Sequence, residues 1–426
     1  MSGRLRILLV LGGRACAAGG SVFLSIVLSR YYGVGVLGAF TIMSTGAALA
    51  VIVAGGGYGT AFLREASRLN ATEKSRRIGT LYRTIALRLA VRLPLPLVAC
   101  IGAGLLYSST IDSLGVGAVV LLSLPILFLP WLALSCEYFK AVKRAEVSVL
   151  LNPGLAALTT GGCVLVAGVV LAPPDVPPPV GVYTAYALSC AAVCLLGWWL
   201  VMARTRDSVP RSSPDVVPSM LVVTSSRSDY LRAQLYTFLS FSGLFLFAGL
   251  SLDEEEIGIV RLAERIAAPM ALALSVISPL IASDLAGSYA RGDVGNVKRI
   301  VRRTSKLCTA FAVVFTLAVV VFIGEIAAAS GVQTSDVLVP VLVIMFGGAI
   351  NLACGPLGTV LNMTRHEGEV KRISLVTLCA SLLFTQLALF VAGTLGFAVA
   401  LAFSYCLKNA LMLHVYRRSF AGEVRA

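Results

Sequence analysis

Four cations stand inside stretches that are otherwise apolar: Arg14, Arg261, Arg265 and Lys408. Each costs about 2.5–3.5 kcal/mol at mid-bilayer unless it is paired or hydrated. Arg14 sits near the middle of the first apolar stretch and Lys408 near the middle of the last. Arg261 and Arg265 are four apart and share a helix face. At 1.5 Å per residue they lie ~6 and ~12 Å below the outer end of their segment. Glu264 follows Arg261 by three and can pair with it, but one carboxylate does not neutralise both arginines. Structural pairing or snorkelling explains Arg261 well and Arg14 and Arg265 poorly. The chemistry that suits the whole set is a hydrated cationic cavity receiving an anionic headgroup, since the arginine fork binds phosphate through two hydrogen bonds. Asn152, Gln234 and Asn351 are the supporting polar residues within apolar sequence, although Asn152-Pro153-Gly154 also reads as a helix kink. Arg30 closes the first apolar stretch beside Tyr31 and Tyr32, where an acid from Asp253–Glu256 is a suitable partner.

The elements that must position these residues follow from composition. Of 426 residues, 58% are hydrophobic and 13% charged, with mean hydropathy +0.89. A soluble domain is about 45–50% apolar and about 25% charged. The chain has too little polar surface for water, which excludes a soluble enzyme, a disordered protein and a fibrous protein. Twelve stretches are long and apolar enough to span a bilayer: 5–29, 36–62, 93–110, 116–137, 148–172, 181–203, 234–251, 257–282, 308–330, 337–362, 374–393 and 396–416. Thirty of the 35 Lys and Arg fall before the first stretch, after the last, or in every second connection, eight of them between Arg64 and Arg92. The alternate connections carry Arg30 and a set of acids. Positive-inside then places both termini in the cytoplasm. It also accounts for the net charge of +14 without a nucleic-acid partner.

Other signals are weak. The basic, apolar start is similar to a signal peptide, but Arg14 interrupts it and hydrophobicity continues to Ser29, so a first membrane helix is expected. Two glycosylation sequons, at Asn70 and Asn362, fall on the cytoplasmic side. The ten cysteines are scattered without a CxxC, and within spans cysteine behaves as a small hydrophobe. Neither histidine belongs to a cluster, so no metal is expected. No Walker loop is present, which leaves a proton or sodium gradient as the energy source. No nucleophile–base spacing and no large external loop suggest an enzyme.

The chain reads as two halves, 1–203 and 234–426, joined by a Pro- and Ser-rich cytoplasmic linker over 204–233. Gly38 to Arg64 and Gly258 to Asp284 are both separated by 26 residues, and each pair introduces a basic stretch. Both halves start and end inside, which makes a parallel repeat with its substrate site expected between the halves near the midplane.

Certain segments resemble a known family. LSRYYGVGVLGAF with AGGGYGTAFLREAS resembles the start of Wzx-type polysaccharide flippases, of the multidrug/oligosaccharidyl-lipid/polysaccharide (MOP) exporter superfamily. The segment from Phe247 to Arg303 resembles their seventh-to-eighth helix region, and GPLGTVLNMTRHEGEVKR the end of their tenth helix. The resemblance implies an all-α membrane fold of two pseudo-symmetric six-helix bundles, V-shaped and similar to the MATE transporters. It implies alternating-access transport of undecaprenyl-pyrophosphate-linked oligosaccharide across the bacterial inner membrane. It also implies cavity arginines on the first and eighth helices, where Arg14, Arg261 and Arg265 lie. The partners implied are membrane lipids, a polysaccharide polymerase and a chain-length regulator.

Three alternatives make different demands. A multidrug antiporter needs a titrating mid-membrane acid and a cavity negative on balance, and Glu264 is the single deep carboxylate. A peptidoglycan-precursor flippase usually carries helices beyond twelve. A glycan polymerase or ligase needs a large external loop with Arg or His. The signature of major-facilitator sugar transporters is missing from REASRLNATEKSRRIGTLYR.

Overall fold

The computed structural model describes residues 3–71, 76–108, 115–151, 153–170, 179–205, 217–364 and 366–421. Among these every regular element is helical, as a bilayer demands, because a helix satisfies its own backbone. The chain begins with α1 (Gly3–Tyr32), α2 (Val34–Gly55) and α3 (Tyr58–Ala71). It continues through α4 (Arg76–Arg92), α5 (Pro94–Ser108), α6 (Val116–Ser123) and α7 (Pro125–Ala141). Then come α8 (Ala145–Leu150), α9 (Pro153–Val170) and α10 (Pro179–Arg204). The second part holds α11 (Val217–Leu239), α12 (Leu244–Ala248) and α13 (Glu254–Ala290). It closes with α14 (Val294–Ser330), α15 (Thr334–Cys354), α16 (Leu357–Met363) and α17 (Glu367–Ala421).

Many of these boundaries are breaks within one membrane crossing, and each falls on Gly or Pro. Gly56 and Gly57, with φ of +53° and +75°, part α2 from α3. Pro94, Pro125 and Pro153 open α5, α7 and α9, a position where proline's missing N–H removes no helical bond. α17 bends at Ala392 and Gly393 and so holds two crossings. Among the described residues nine segments are long and apolar enough to span, the 53-residue one being the two crossings of α17. Where they are described, the spans read from the sequence fall mainly on helix, with breaks such as 240–243 between α11 and α12.

Two readings are corrected. The basic run 64–92 is not a loop. Its described residues lie on α3 and α4, because Leu, Ala and Arg are strong helix formers and the cations share faces of those helices. In the stretch 204–233, Arg204 ends α10, 206–216 lie outside the described residues, and Val217 onward is the helix α11.

The chain forms two compact units, residues 1–32 with 39–235, and residues 33–38 with 236–426. The first is built round an aromatic cluster. Tyr82 meets Tyr138 edge-on at 5.7 Å and Phe62 at 6.2 Å, and its hydroxyl bonds Ser135 Oγ at 2.8 Å. Trp131 stacks on Trp198 at 5.5 Å. In the second unit α15 lies close to its neighbours through Gly347, set against Ala402 of α17, and Gly348, set against Met270 of α13. Ser404 donates to Ser381 at 2.8 Å and ties the two limbs of α17 together. Outward faces are apolar, as lipid requires, with Phe390, Leu383 and Val391 all more than two-thirds exposed.

One contact in the second unit joins Gly38 and Gly258. A Cβ on Gly38 would overlap the carbonyl oxygen of Glu254, and one on Gly258 the carbonyl oxygen of Val34. Each glycine therefore touches the residue four before the other, the reciprocal pattern of a local twofold axis. The spacing that paired Gly38 with Gly258 in sequence pairs them in space. Gly258→Ala should destabilise by about 1–3 kcal/mol through this overlap. Gly324→Ala, where nothing lies within 4 Å, should not. Thermal melting in detergent measures both.

Candidate functional site

The acids that open α13 have structural work. Asp253 Oδ1 accepts from the Glu256 N–H at 2.8 Å and Glu256 Oε2 from the Asp253 N–H at 3.2 Å, a capping box that closes the helix end. Glu256 Oε1 also accepts from Thr394 Oγ1 at 2.6 Å, which fastens this end to the bend of α17. One turn further on, Arg261 Nη1 lies 3.1 Å from Glu264 Oε2, and Arg265 Nε lies 3.7 Å from the same oxygen. The Arg261 guanidinium sits 5.1 Å from the centroid of Phe245, which is itself set edge-on against Phe397 at 4.9 Å. The Arg261 side chain is 11% exposed, whereas Glu264 and Arg265 are each 25% exposed. The Glu264 carboxylate thus lies within reach of two guanidiniums.

Lys408, on the second limb of α17, lines a cavity of about 240 Å³ bounded by α13, α15, α16 and α17. Its Nζ lies 5.1 Å from the ring centroid of Phe241, which packs on Tyr405 at 4.7 Å. Among the described residues no carboxylate or hydrogen-bond partner lies against Lys408. Asn351 and Asn409 share the cavity, with Asn409 Nδ2 donating to Asn351 Oδ1 at 2.9 Å and to the Tyr405 carbonyl at 2.8 Å. Tyr405, three residues before Lys408 on α17, also lines the cavity. The cavity therefore offers a cation, two amides and a phenol. Those groups suit an anion with several oxygen acceptors.

Arg261, Glu264, Arg265, Lys408 and Asn351 all belong to the second unit, where Lys408 and Asn351 line the cavity and Arg261, Glu264 and Arg265 form a separate ion cluster on α13. Arg14 and Arg30 belong to the first unit. Arg14 follows Gly13, whose missing Cβ lets α1 approach Val149 of α8. Gln234 is also in the first unit, where its Nε2 donates to Thr60 Oγ1 at 3.1 Å. Asn152 lies outside the described residues. Sequence reasoning missed Phe241, Phe245, Tyr405 and Asn409. Their only signal was a helical register, Tyr405 lying three before Lys408 and Asn409 just after it. A larger, open concavity of about 620 Å³ lines the start of α14 with Lys298, Arg299, Arg302, Arg303 and Lys306. It draws on one helix alone, and its cations are the topology signal, so the smaller cavity is the stronger candidate.

No protein-family model matches the chain, and no curated protein matches it in sequence. Solved structures do. A multidrug resistance MATE family transporter of the MOP superfamily, inward-facing, superposes with a TM-score of 0.73 over 99% of both chains at 14% identity. The lipid II flippase MurJ, in an inward closed conformation, superposes at 0.69 over 99% of this chain and 90% of its own, at 11% identity. A MOP superfamily transporter from Pyrococcus furiosus, described as having a binding pocket of reverse polarity, superposes at 0.56 over 99% of both at 12% identity. The fold is a MATE-like membrane fold. At these identities the likeness is one of architecture, so the site has to be argued from the residues of this chain.

Two variants separate the charges by stability. Glu264→Gln leaves the two arginines without their carboxylate and should destabilise by about 1–3 kcal/mol, discounted for partial exposure. Lys408→Met removes a cation with no carboxylate against it and should leave the melting temperature unchanged or raised. Melting in detergent without phosphate measures both.

Proposed function

We propose that this chain is a flippase that moves undecaprenyl-pyrophosphate-linked oligosaccharide from the cytoplasmic to the outer leaflet of a bacterial inner membrane by alternating access, for cell-surface polysaccharide synthesis. The observation that carries this reading is the charge of the cavity in the second unit. Among the described residues, Lys408 lines it with Asn351 and Asn409 and has no carboxylate against it. A cation is kept uncompensated in a bilayer when a ligand or water is to compensate it. A cavity of about 240 Å³ suits a diphosphate, with glycan and lipid tail outside it. The presence of a lipid II flippase among the similar structures supports a lipid-linked substrate. Arg14 is assigned to the same substrate as a contributor from the first unit, and an ion gradient, H+ or Na+, as the driving force. A polymerase and a chain-length regulator are the expected partners.

The second reading is an ion-coupled multidrug antiporter, which the MATE structures support equally. It needs a carboxylate able to receive an organic cation or a proton. Glu264 is the deep carboxylate of this region, and it is engaged by Arg261 and Arg265. That engagement favours the anionic substrate.

A strain lacking the protein should accumulate lipid-linked oligosaccharide in the inner leaflet. Arg14→Ala and Arg265→Ala should each reduce surface glycan roughly tenfold or more at unchanged protein level, the loss of a charged hydrogen bond being ~1.5–3 kcal/mol. Wild-type glycan in both variants would overturn the cavity assignment. Resistance to organic cations that disappears with the gene would instead favour the antiporter.

A further inference from the structure

A second group of cations, all within the first unit, is unexplained by the cavity above. At the break between α2 and α3, Tyr58 is buried, and two guanidiniums lie over its ring, each 5.1 Å from the centroid: Arg92 from the end of α4 and Arg227 from α11. The two charges also converge. The point that a Cβ on Gly56 would occupy lies 2.5 Å from Arg92 Nη1 and 3.7 Å from Arg227 Nη1. Among the described residues neither arginine has a hydrogen bond or an ion pair, and both are half-buried. The carboxylate of Glu137, across Gly59, pairs through Oε1 with Lys140 at 2.7 Å, and its buried Oε2 has no hydrogen-bond partner among the described residues.

The local fold keeps this arrangement in place. A Cβ on Gly57 would overlap the Arg227 carbonyl oxygen and approach the Leu231 N–H, so α11 is seated on the glycine break itself. Along the same face of α11, Thr224 Oγ1 accepts from Arg88 at 3.4 Å, the Tyr230 hydroxyl accepts from Arg64 at 3.3 Å, and Gln234 donates to Thr60. Four arginines therefore meet one seam. Two of them are anchored on neutral oxygens, and the central two share only an aromatic ring. Two like charges this close repel unless an anion bridges them, and a ring quadrupole offsets only part of that repulsion.

We propose that Arg92 and Arg227 form an anion clamp over Tyr58 that binds a phosphate group, a site separate from the cavity around Lys408. Phosphate is the anion that fits two converging guanidiniums, each able to give it paired N–H bonds. Positive-inside places the clamp toward the cytoplasmic side. Leu87 and Val91 on α4, with Leu221 and Val222 on α11, are exposed apolar neighbours that set it at the level of the lipid boundary. The phosphate is that of a lipid headgroup or of a free phosphate compound from the cytoplasm. The site gives the protein a place to hold a phosphate-bearing molecule apart from the cavity in the second unit.

The test is site-resolved arginine labelling. The full-length protein in uncharged detergent is treated with phenylglyoxal, and the rates at Arg92 and Arg227 are followed by peptide mass spectrometry. Three additions are compared with no anion: inorganic pyrophosphate, phosphatidylglycerol and phosphatidylcholine. The clamp predicts labelling at both arginines slowed together, about tenfold or more, by pyrophosphate or by phosphatidylglycerol. Protection by pyrophosphate identifies a free phosphate ligand, protection by phosphatidylglycerol alone identifies a headgroup, and protection by phosphatidylcholine as well widens the headgroup class. Arg92→Gln should remove the protection of Arg227, and Lys408→Gln should leave it intact, which separates this site from the transport cavity. Equal rates under all conditions would overturn the proposal. So would protection of Arg227 that survives Arg92→Gln, or arginines that resist labelling even without an anion, since a sealed pair admits no ligand.

Discussion

A cation inside a bilayer must be answered by a carboxylate, by an aromatic face, by water or by a ligand, and the second unit is arranged around that requirement. Arg261 is answered three ways at once, by Glu264 at 3.1 Å, by the face of Phe245 and by burial that keeps the pair together. Arg265 shares what remains of the same carboxylate at 3.7 Å. Among the described residues Lys408 is answered by Phe241 alone, in a cavity that also holds two amides. The cations thus grade from Arg261, which has a carboxylate and a ring, to Lys408, which has a ring.

The same low-dielectric surroundings shape the backbone. Lipid supplies no hydrogen bonds, so the described chain is helical, and its departures from helix are placed where Gly or Pro makes them inexpensive. Those departures sit next to the polar chemistry. Gly355 and Pro356 border the Lys408 cavity, and the bend at Gly393 receives the Thr394–Glu256 bond. Gly56 and Gly57 hold the arginine pair over Tyr58. Glycine acts in two ways here. It adopts positive φ at the breaks, and it allows the close crossing of α2 and α13 at Gly38 and Gly258.

Much of the fold was legible in the sequence because hydropathy and the Lys/Arg map act at the scale of whole helices. Residues 257–282, read as one apolar stretch despite Arg261, Glu264 and Arg265, lie within the single helix α13, and Gly38 and Gly258, equally spaced from Arg64 and Asp284 in sequence, lie in contact. The boundaries between helix and loop were less legible. The basic run 64–92 read as a connection because charge density resembles a loop, whereas arginine spaced on a helix face extends a span into water. The site was half legible. Charge in an apolar stretch pointed to Arg261, Arg265 and Lys408, but the aromatic residues that hold them had no signal among the many apolar positions. Arg92 and Arg227 were hidden for the opposite reason, since among thirty topology-forming cations nothing in one dimension distinguishes two that meet over a tyrosine.

Leaflet exchange in a purified system tests the central claim most directly. Proteoliposomes of neutral lipid would carry the protein and a fluorescent polyprenyl-pyrophosphate oligosaccharide, with the label in each leaflet read by an impermeant quencher. A diphosphate flippase should equilibrate the label across the bilayer, more slowly with Lys408→Gln, and should leave an organic cation such as ethidium unmoved. Accumulation of ethidium driven by an ion gradient, with no exchange of the diphosphate lipid, would contradict it.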